Sequence, residues 1–256
     1  MAQQSREDRT SNHPVSKRLK FYIGIAVFLI TVSGYTLRNV WEKSPEAVPS
    51  PTTTIPAPTS PDGEWGPSRK TFTISQPATY AVLNSITDNP NYGDERGFFA
   101  VRHQDSDREG SDFKTALKVS PGDVITLRGY YENSAADNFQ TDPAWIQGAT
   151  AVLAYDNSPL LRRVMQLSIS ADNSPTIWAS LVVHSETLVS LEHVSGSARI
   201  YNNAHSVKSG GYAFNIDELR TASGLKLGYE VMDGTVQPGY QYAGYIYFNM
   251  KVVDAS

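Results

Sequence analysis

Tyr245-Ile246-Tyr247-Phe248-Asn249-Met250-Lys251-Val252 alternates without a break, apolar at Ile246, Phe248, Met250 and Val252 and mixed at the residues between them. Side chains of a strand point alternately to opposite faces, so this spacing predicts a strand with one face in a core and the other outside it. On a helix the same residues would be scattered around the axis.

Working back from there, the pattern repeats. Pro121-Gly122-Asp123 is turn chemistry, and it leads into Val124–Tyr131, where Ile125, Leu127 and Tyr131 share one face and Thr126, Arg128 and Glu132 the other. Similar runs predict strands at Thr71–Ser75, Tyr80–Ile86, Phe98–His103, Lys114–Ser120, Thr150–Tyr155, Leu161–Ser170, Ile177–His184, Glu192–His193 and Ala198–Tyr201. One short helix is expected around Asp217–Ala222. About ten short strands with no amphipathic helix between them predict an all-β, antiparallel β-sandwich over residues 71–256. The 14 tyrosines and 18 glycines suit pleated surfaces and tight turns, which points the same way.

The N-terminal part is different. Residues 1–20 are polar and aperiodic, and read as a disordered cytoplasmic tail. Residues 21–41 hold an uncharged apolar run that includes Phe21, Ile23, Ile25, Val27, Phe28, Leu29, Ile30 and Leu37, and read as a transmembrane helix acting as a signal anchor. Arg6, Arg9, Lys17, Arg18 and Lys20 precede the run, while Arg38 and Lys43 follow it, so the N-terminus stays in the cytoplasm. No Ala-x-Ala site follows, which favours a retained anchor; secretion after signal-peptide cleavage is the alternative. Residues 42–70 contain seven of the chain's 15 prolines, interspersed with Thr52, Thr53, Thr54 and Thr59. Such a Pro/Thr-rich stretch forms neither helix nor ladder and predicts an extended extracellular linker.

Composition excludes several functions. Without cysteine there is no disulfide, thiolate metal site or cysteine nucleophile. From Arg69 onwards there are 15 Lys and Arg against 20 Asp and Glu, so nothing drives binding to nucleic acid. No nucleophile elbow, phosphate loop, dinucleotide fingerprint or His-Glu-x-x-His occurs, and the reading is non-enzymatic.

Four stretches resemble a conserved-repeat domain of unknown function found in prokaryotic surface proteins. They are Tyr130-Tyr131-Glu132-Asn133-Ser134-Ala135-Ala136, Ser170-Ala171-Asp172-Asn173-Ser174-Pro175, Val194-Ser195-Gly196-Ser197-Ala198-Arg199-Ile200-Tyr201-Asn202-Asn203, and Val236-Gln237-Pro238-Gly239-Tyr240-Gln241-Tyr242-Ala243-Gly244-Tyr245. The resemblance implies an immunoglobulin-like sandwich at the cell surface and no catalytic residues. Physically, Asn133, Asn173, Asn202 and Asn203 are expected to cap strand ends or take left-handed conformations.

Three candidate sites remain. Asp105, Asp107, Glu109 and Asp112, with Gly110 in sixth place, mimic the start of a calcium loop. Ala116 stands where the bidentate glutamate belongs and Arg108 adds a positive charge, so a solvated hairpin tip is preferred and no cofactor is expected. Trp145, with Phe139, Gln140 and Gln147 nearby, can stack on a sugar ring while amides bind its hydroxyls; the alternative is a tryptophan plugging the end of the sandwich. Asp94 with Glu95, or Asp137 with Asp142, are the carboxylate pairs a hydrolase would need. The expected role is therefore structural or adhesive, next carbohydrate or envelope-polymer binding, and last hydrolysis. The expected partners are the membrane, through the N-terminal helix, and an envelope polymer or surface protein.

Overall fold

The computed structural model describes residues 63–105, 113–139 and 142–255. The expected tail, anchor and most of the linker lie outside the described residues. Among the described residues no helix is long and apolar enough to cross a membrane.

The fold is all-β. Its strands are β1 (Trp65–Gly66), β2 (Phe99–His103), β3 (Ala116–Lys118), β4 (Val124–Tyr131), β5 (Thr150–Tyr155), β6 (Leu160–Ser170), β7 (Ile177–His193), β8 (Arg199–Tyr201), β9 (Tyr212–Ala213), β10 (Leu225–Lys226) and β11 (Gly244–Asp254). The main path runs β10-β5-β6-β7-β11-β4-β2. All of its pairings are antiparallel, and only β3 joins in parallel, on β7.

β11 is the strand that its alternation predicts. It pairs along one edge with β4, from Gly244 opposite Tyr131 to Lys251 opposite Val124, and buries Ile246, Phe248, Met250 and Val252. β7 is longer than the sequence suggests. Its first half pairs with β6 and its last residues, Val189–His193, pair with β11. Ser185-Glu186-Thr187 reads as a break because it is polar, yet the chain stays extended there while passing from one set of partners to the other.

The inward faces meet in one apolar core that joins Ile125, Leu127 and Tyr131 to Met165, Leu167, Ile169 and Phe248, all fully buried. Gly129 marks how closely β4 approaches β6, since a Cβ there would sit 2.5 Å from Leu167 Cδ2. That approach agrees with a β-sandwich. Arg163 is buried too, and its guanidinium donates to the carbonyls of Asp156, Ser158 and Val189, tying the β5–β6 hairpin to β7.

Residues 71–86 depart from expectation. Instead of two strands they make isolated bridges, Phe72 to Ile86, Ala78 to Ala135 and Leu83 to Asn133. Side chains supplement the scattered backbone bonds: Leu83 N–H donates to Ser174 Oγ at 3.3 Å and Ser85 N–H to Ser134 Oγ at 2.8 Å. Asn84 takes φ 39° and its amide serves both Tyr130 O and Glu132 N. The expected helix is a 3-10 turn, Ile216–Arg220, closed by a capping box between Asn215 and Glu218.

Candidate binding grooves

The motif asparagines converge on one end of the domain, where β4 ends, β11 begins and β8 ends. Asn133 Nδ2 donates to Ala144 O at 2.6 Å and Val236 O at 3.1 Å. Asn173 holds the Trp145 loop at two points, donating to Trp145 O at 2.7 Å and accepting from Gln147 N at 2.9 Å. Asn202 Nδ2 reaches Tyr229 O at 2.9 Å while its Oδ1 accepts from His205 N at 2.7 Å, and Asn203 Nδ2 reaches Gln241 O at 2.9 Å. These side chains staple loops that are far apart in the chain. The left-handed non-glycine residue among those described is Asn84, and none of the four motif asparagines takes that conformation. Tyr131, fully buried, adds a fifth fastening through its hydroxyl, which donates to Gly228 O at 2.7 Å.

Two grooves open among these loops, separated by the 3-10 turn Tyr240–Tyr242. The first, of about 410 Å³, is walled chiefly by Tyr130, Tyr201, Tyr240 and Tyr245 with Asn89 and Asn91. None of the described residues lining it carries a charge. Tyr240 is 65% exposed at its lip. Tyr240 and Tyr242 stand on a turn, because β11 begins only at Gly244.

Behind this groove the outer face of β4, β8 and β11 is an aromatic ladder. Tyr92 stacks on Tyr130 with centroids 4.3 Å apart, Tyr245 tilts against Tyr130 at 5.0 Å, and Tyr201 meets Tyr247 edge-on at 5.7 Å. The Arg128 guanidinium lies 4.2 Å from the Phe113 centroid and 5.2 Å from that of Tyr92. Burial pushes the Tyr92, Tyr130, Tyr245 and Tyr247 hydroxyls up, so these phenols stay neutral donors.

Beneath Tyr130 two carboxyl groups meet in the interior. Glu95 is fully buried and Glu132 is 3% exposed. Burial pushes the Glu95 carboxyl up to about 10, helped by its hydrogen bond to Glu132 and that neighbour's charge. Asn89 Nδ2 donates to Glu95 Oε1 at 2.7 Å, and the Tyr130 hydroxyl donates to Glu132 Oε2. Glu95 is paired with Glu132 rather than with Asp94, which caps the turn Glu95–Gly97 and binds Arg96 at the surface. The Arg96 side chain holds the Asp94 carboxyl below its ordinary value. Nothing in the local sequence signals the pair, because the two glutamates are brought together by packing of the irregular segment on the end of β4.

The second groove, of about 510 Å³, contains Trp145. The indole is half-buried, and its other walls are Tyr229, Val231, Thr235, Gln237 and Tyr242, with Glu230 and Asp233 contributing carboxylates. Antiparallel bonds between Ile146 and Val236, 3.0 and 3.1 Å long, fix the Trp145 loop against the Thr235–Gln237 stretch. Phe139 and Gln147 do not line this groove, and Gln140 lies outside the described residues. Of the calcium-loop residues Asp105 is exposed, and Asp107, Glu109 and Asp112 lie outside the described residues. Asp137 is exposed, and the Asp142 side chain lies outside those described.

Comparison of the chain with protein-family models, with characterised proteins and with solved structures finds no match in any of the three.

Proposed function

We propose that the chain is a non-enzymatic recognition module of the cell envelope, gripping a neutral, hydroxyl-rich polymer in the Tyr130–Tyr245 groove. One observation carries the reading: phenol rings and amides together line a groove in which no described lining residue is charged. Flat rings pack against the apolar faces of sugars, and amide and hydroxyl groups orient their hydroxyls, without the desolvation cost of a buried charge. The sequence supplies the setting. Residues 21–41 hold the chain in the membrane with its N-terminus inside, residues 42–70 act as a spacer, and the domain is an immunoglobulin-like sandwich of the surface-protein kind that its four motif stretches resemble. A structural or adhesive role follows from a membrane-held module that grips an envelope polymer. Hydrolysis has less support, because Glu95 is fully buried and its carboxyl is engaged by Glu132 and Asn89.

Co-sedimentation of the detergent-solubilised full chain with insoluble cell-wall polysaccharide tests the reading. The chain is expected in the pellet, and Tyr240→Ala should weaken retention roughly tenfold, as loss of one stacking ring does. Since Tyr240 is 65% exposed, the variant keeps its fold. Undiminished retention of the variant removes this groove as the site, and no retention of the unmodified chain removes the reading. Sequencing the mature N-terminus tests the anchor: a start near Tyr35 makes the protein secreted.

A further inference from the structure

We infer that the Trp145 groove is a second site, one that takes an organic ammonium group. It lies on the far side of the Tyr240–Tyr242 turn from the polymer groove, and the inference stands independently of the polymer reading. Its volume of about 510 Å³ would hold a small ligand.

The walls determine the class of ligand. Tyr229 and Tyr242 meet edge to face with centroids 4.9 Å apart and planes at 82°, forming a two-sided corner. Trp145 lines the same groove but makes no ring contact with any described residue. Tyr229 and Tyr242 thus pack on each other, and the Trp145 ring lines the groove apart from them. Ring faces carry negative quadrupole charge and attract cations. Glu230 and Asp233 add two exposed carboxylates at the rim, and no described basic side chain pairs with either. An aromatic corner with carboxylates and no Lys or Arg in its lining attracts an ammonium group, repels an anion and gives a neutral ligand little advantage.

The site is also rigid. Asn173 holds the Trp145 carbonyl at 2.7 Å, Asn202 holds that of Tyr229 at 2.9 Å, and Asp233 Oδ1 accepts from Thr235 N at 2.8 Å. Walls fixed before binding lose little entropy when the ligand arrives. The Trp145 indole N–H is buried without a hydrogen-bond partner, so the ring is positioned by packing and by its backbone fastenings.

Calorimetric titration of the full chain with three probes tests this. They are choline, Nα-acetyl-lysinamide, and 3,3-dimethylbutanol, the uncharged isostere of choline. At least one of the two cations should bind, and 3,3-dimethylbutanol should bind at least roughly tenfold more weakly than choline if the quaternary group is preferred. Tighter binding of Nα-acetyl-lysinamide instead assigns the site to a primary amine. Trp145→Ala should weaken the preferred cation roughly tenfold. Should that variant fail to fold, the double variant Glu230→Gln, Asp233→Asn replaces it. Both of these residues are exposed, and their loss should weaken the cation roughly threefold or more. The inference is overturned if neither cation binds, if the isostere matches choline while choline is the better cation, or if the folded variants bind the cation unchanged. None of these outcomes bears on polysaccharide retention, which is read on Tyr240.

Discussion

On one side of the Tyr240–Tyr242 turn, Tyr130, Tyr201 and Tyr245 stand with asparagine amides and no charge; on the other, Trp145, Tyr229 and Tyr242 stand with Glu230 and Asp233. Both grooves are aromatic and both are framed by asparagine-stapled loops. The difference lies in where the carboxylates are. Beside Trp145 they are exposed at the rim, whereas near Tyr130 they are driven inside, onto each other, as Glu95 and Glu132. A carboxyl in water is a charge that a ligand can feel, while burial raises the Glu95 carboxyl until it holds its proton, and this pair lies beneath Tyr130 rather than at a rim. On the two proposals, this difference is what gives the grooves different ligands.

The largest expected effect breaks that arrangement with base. Glu95 has a folded-state value of about 10 against an ordinary 4.5, so between these the folded chain holds a proton that the unfolded chain releases. Stability therefore falls as pH rises through this window, by up to about 1.4 kcal/mol per pH unit, and it changes little for this group below the window, where both states are protonated. Glu95→Gln keeps an acceptor for Asn89 and a donor for Glu132 but cannot ionise. Chemical denaturation from pH 5 to pH 9 should show the slope flattened in the variant. Equal slopes in the two proteins would mean that the carboxyl pair is not the source.

Removing the shared frame comes next. Asn133→Ala strips the donor from the Ala144 and Val236 carbonyls in a fully buried setting and should cost roughly 2–4 kcal/mol. Asn203→Ala removes an exposed fastening and should cost less than about 1 kcal/mol. Thermal denaturation of the pair checks the ranking. If the two variants melt alike, the staples are not what holds the loop end.

How much of this could be read beforehand follows from the same physics. β4, β5, β6 and β11 were legible because each buries one face, and burial writes a period of two into the residues. β1, β9 and β10 are two residues long and leave no period to read. Residues 71–86 alternate like strands, yet the Leu83 and Ser85 N–H groups go to the Ser174 and Ser134 hydroxyls while those of Phe72, Ala78 and Asn84 go to scattered backbone carbonyls, and which donor meets which acceptor is set by tertiary packing. Trp145 was recognisable as a loop tryptophan. Its partners at Tyr229 and Tyr242 were not, because Asn133, Asn173 and Asn202 bring those stretches together across the whole domain. Turn chemistry predicted short-range caps, which Asn133 and Asn202 make through their Oδ1 to Ala135 N and His205 N, but not that the Nδ2 groups of all three would reach distant backbone.

Smaller in energy, but sharper for the comparison, is a double dissociation. Tyr240→Ala should lose polysaccharide retention and keep affinity for the ammonium probe, and Trp145→Ala should do the reverse, each by roughly tenfold. Loss of both activities in either single variant would show that the turn couples the grooves, or that only one of them is a site.

The smallest effect is the response to salt. Raising salt from about 0.02 M to about 0.5 M shortens the screening length from roughly 20 Å to roughly 4 Å. Glu230 and Asp233 are exposed, so their attraction for a cation is screened, and affinity at the Trp145 groove should fall by roughly twofold to fivefold. The attraction of the rings acts at contact and survives, which keeps the loss to this size. The polymer groove has no charged lining residue among those described, so retention on neutral polysaccharide should stay constant over the same range. Titrating both activities in one preparation separates charge from shape. If polysaccharide retention falls with salt as steeply as ammonium binding does, the neutral groove is not the polymer's site, and the contrast across the turn has been drawn in the wrong place.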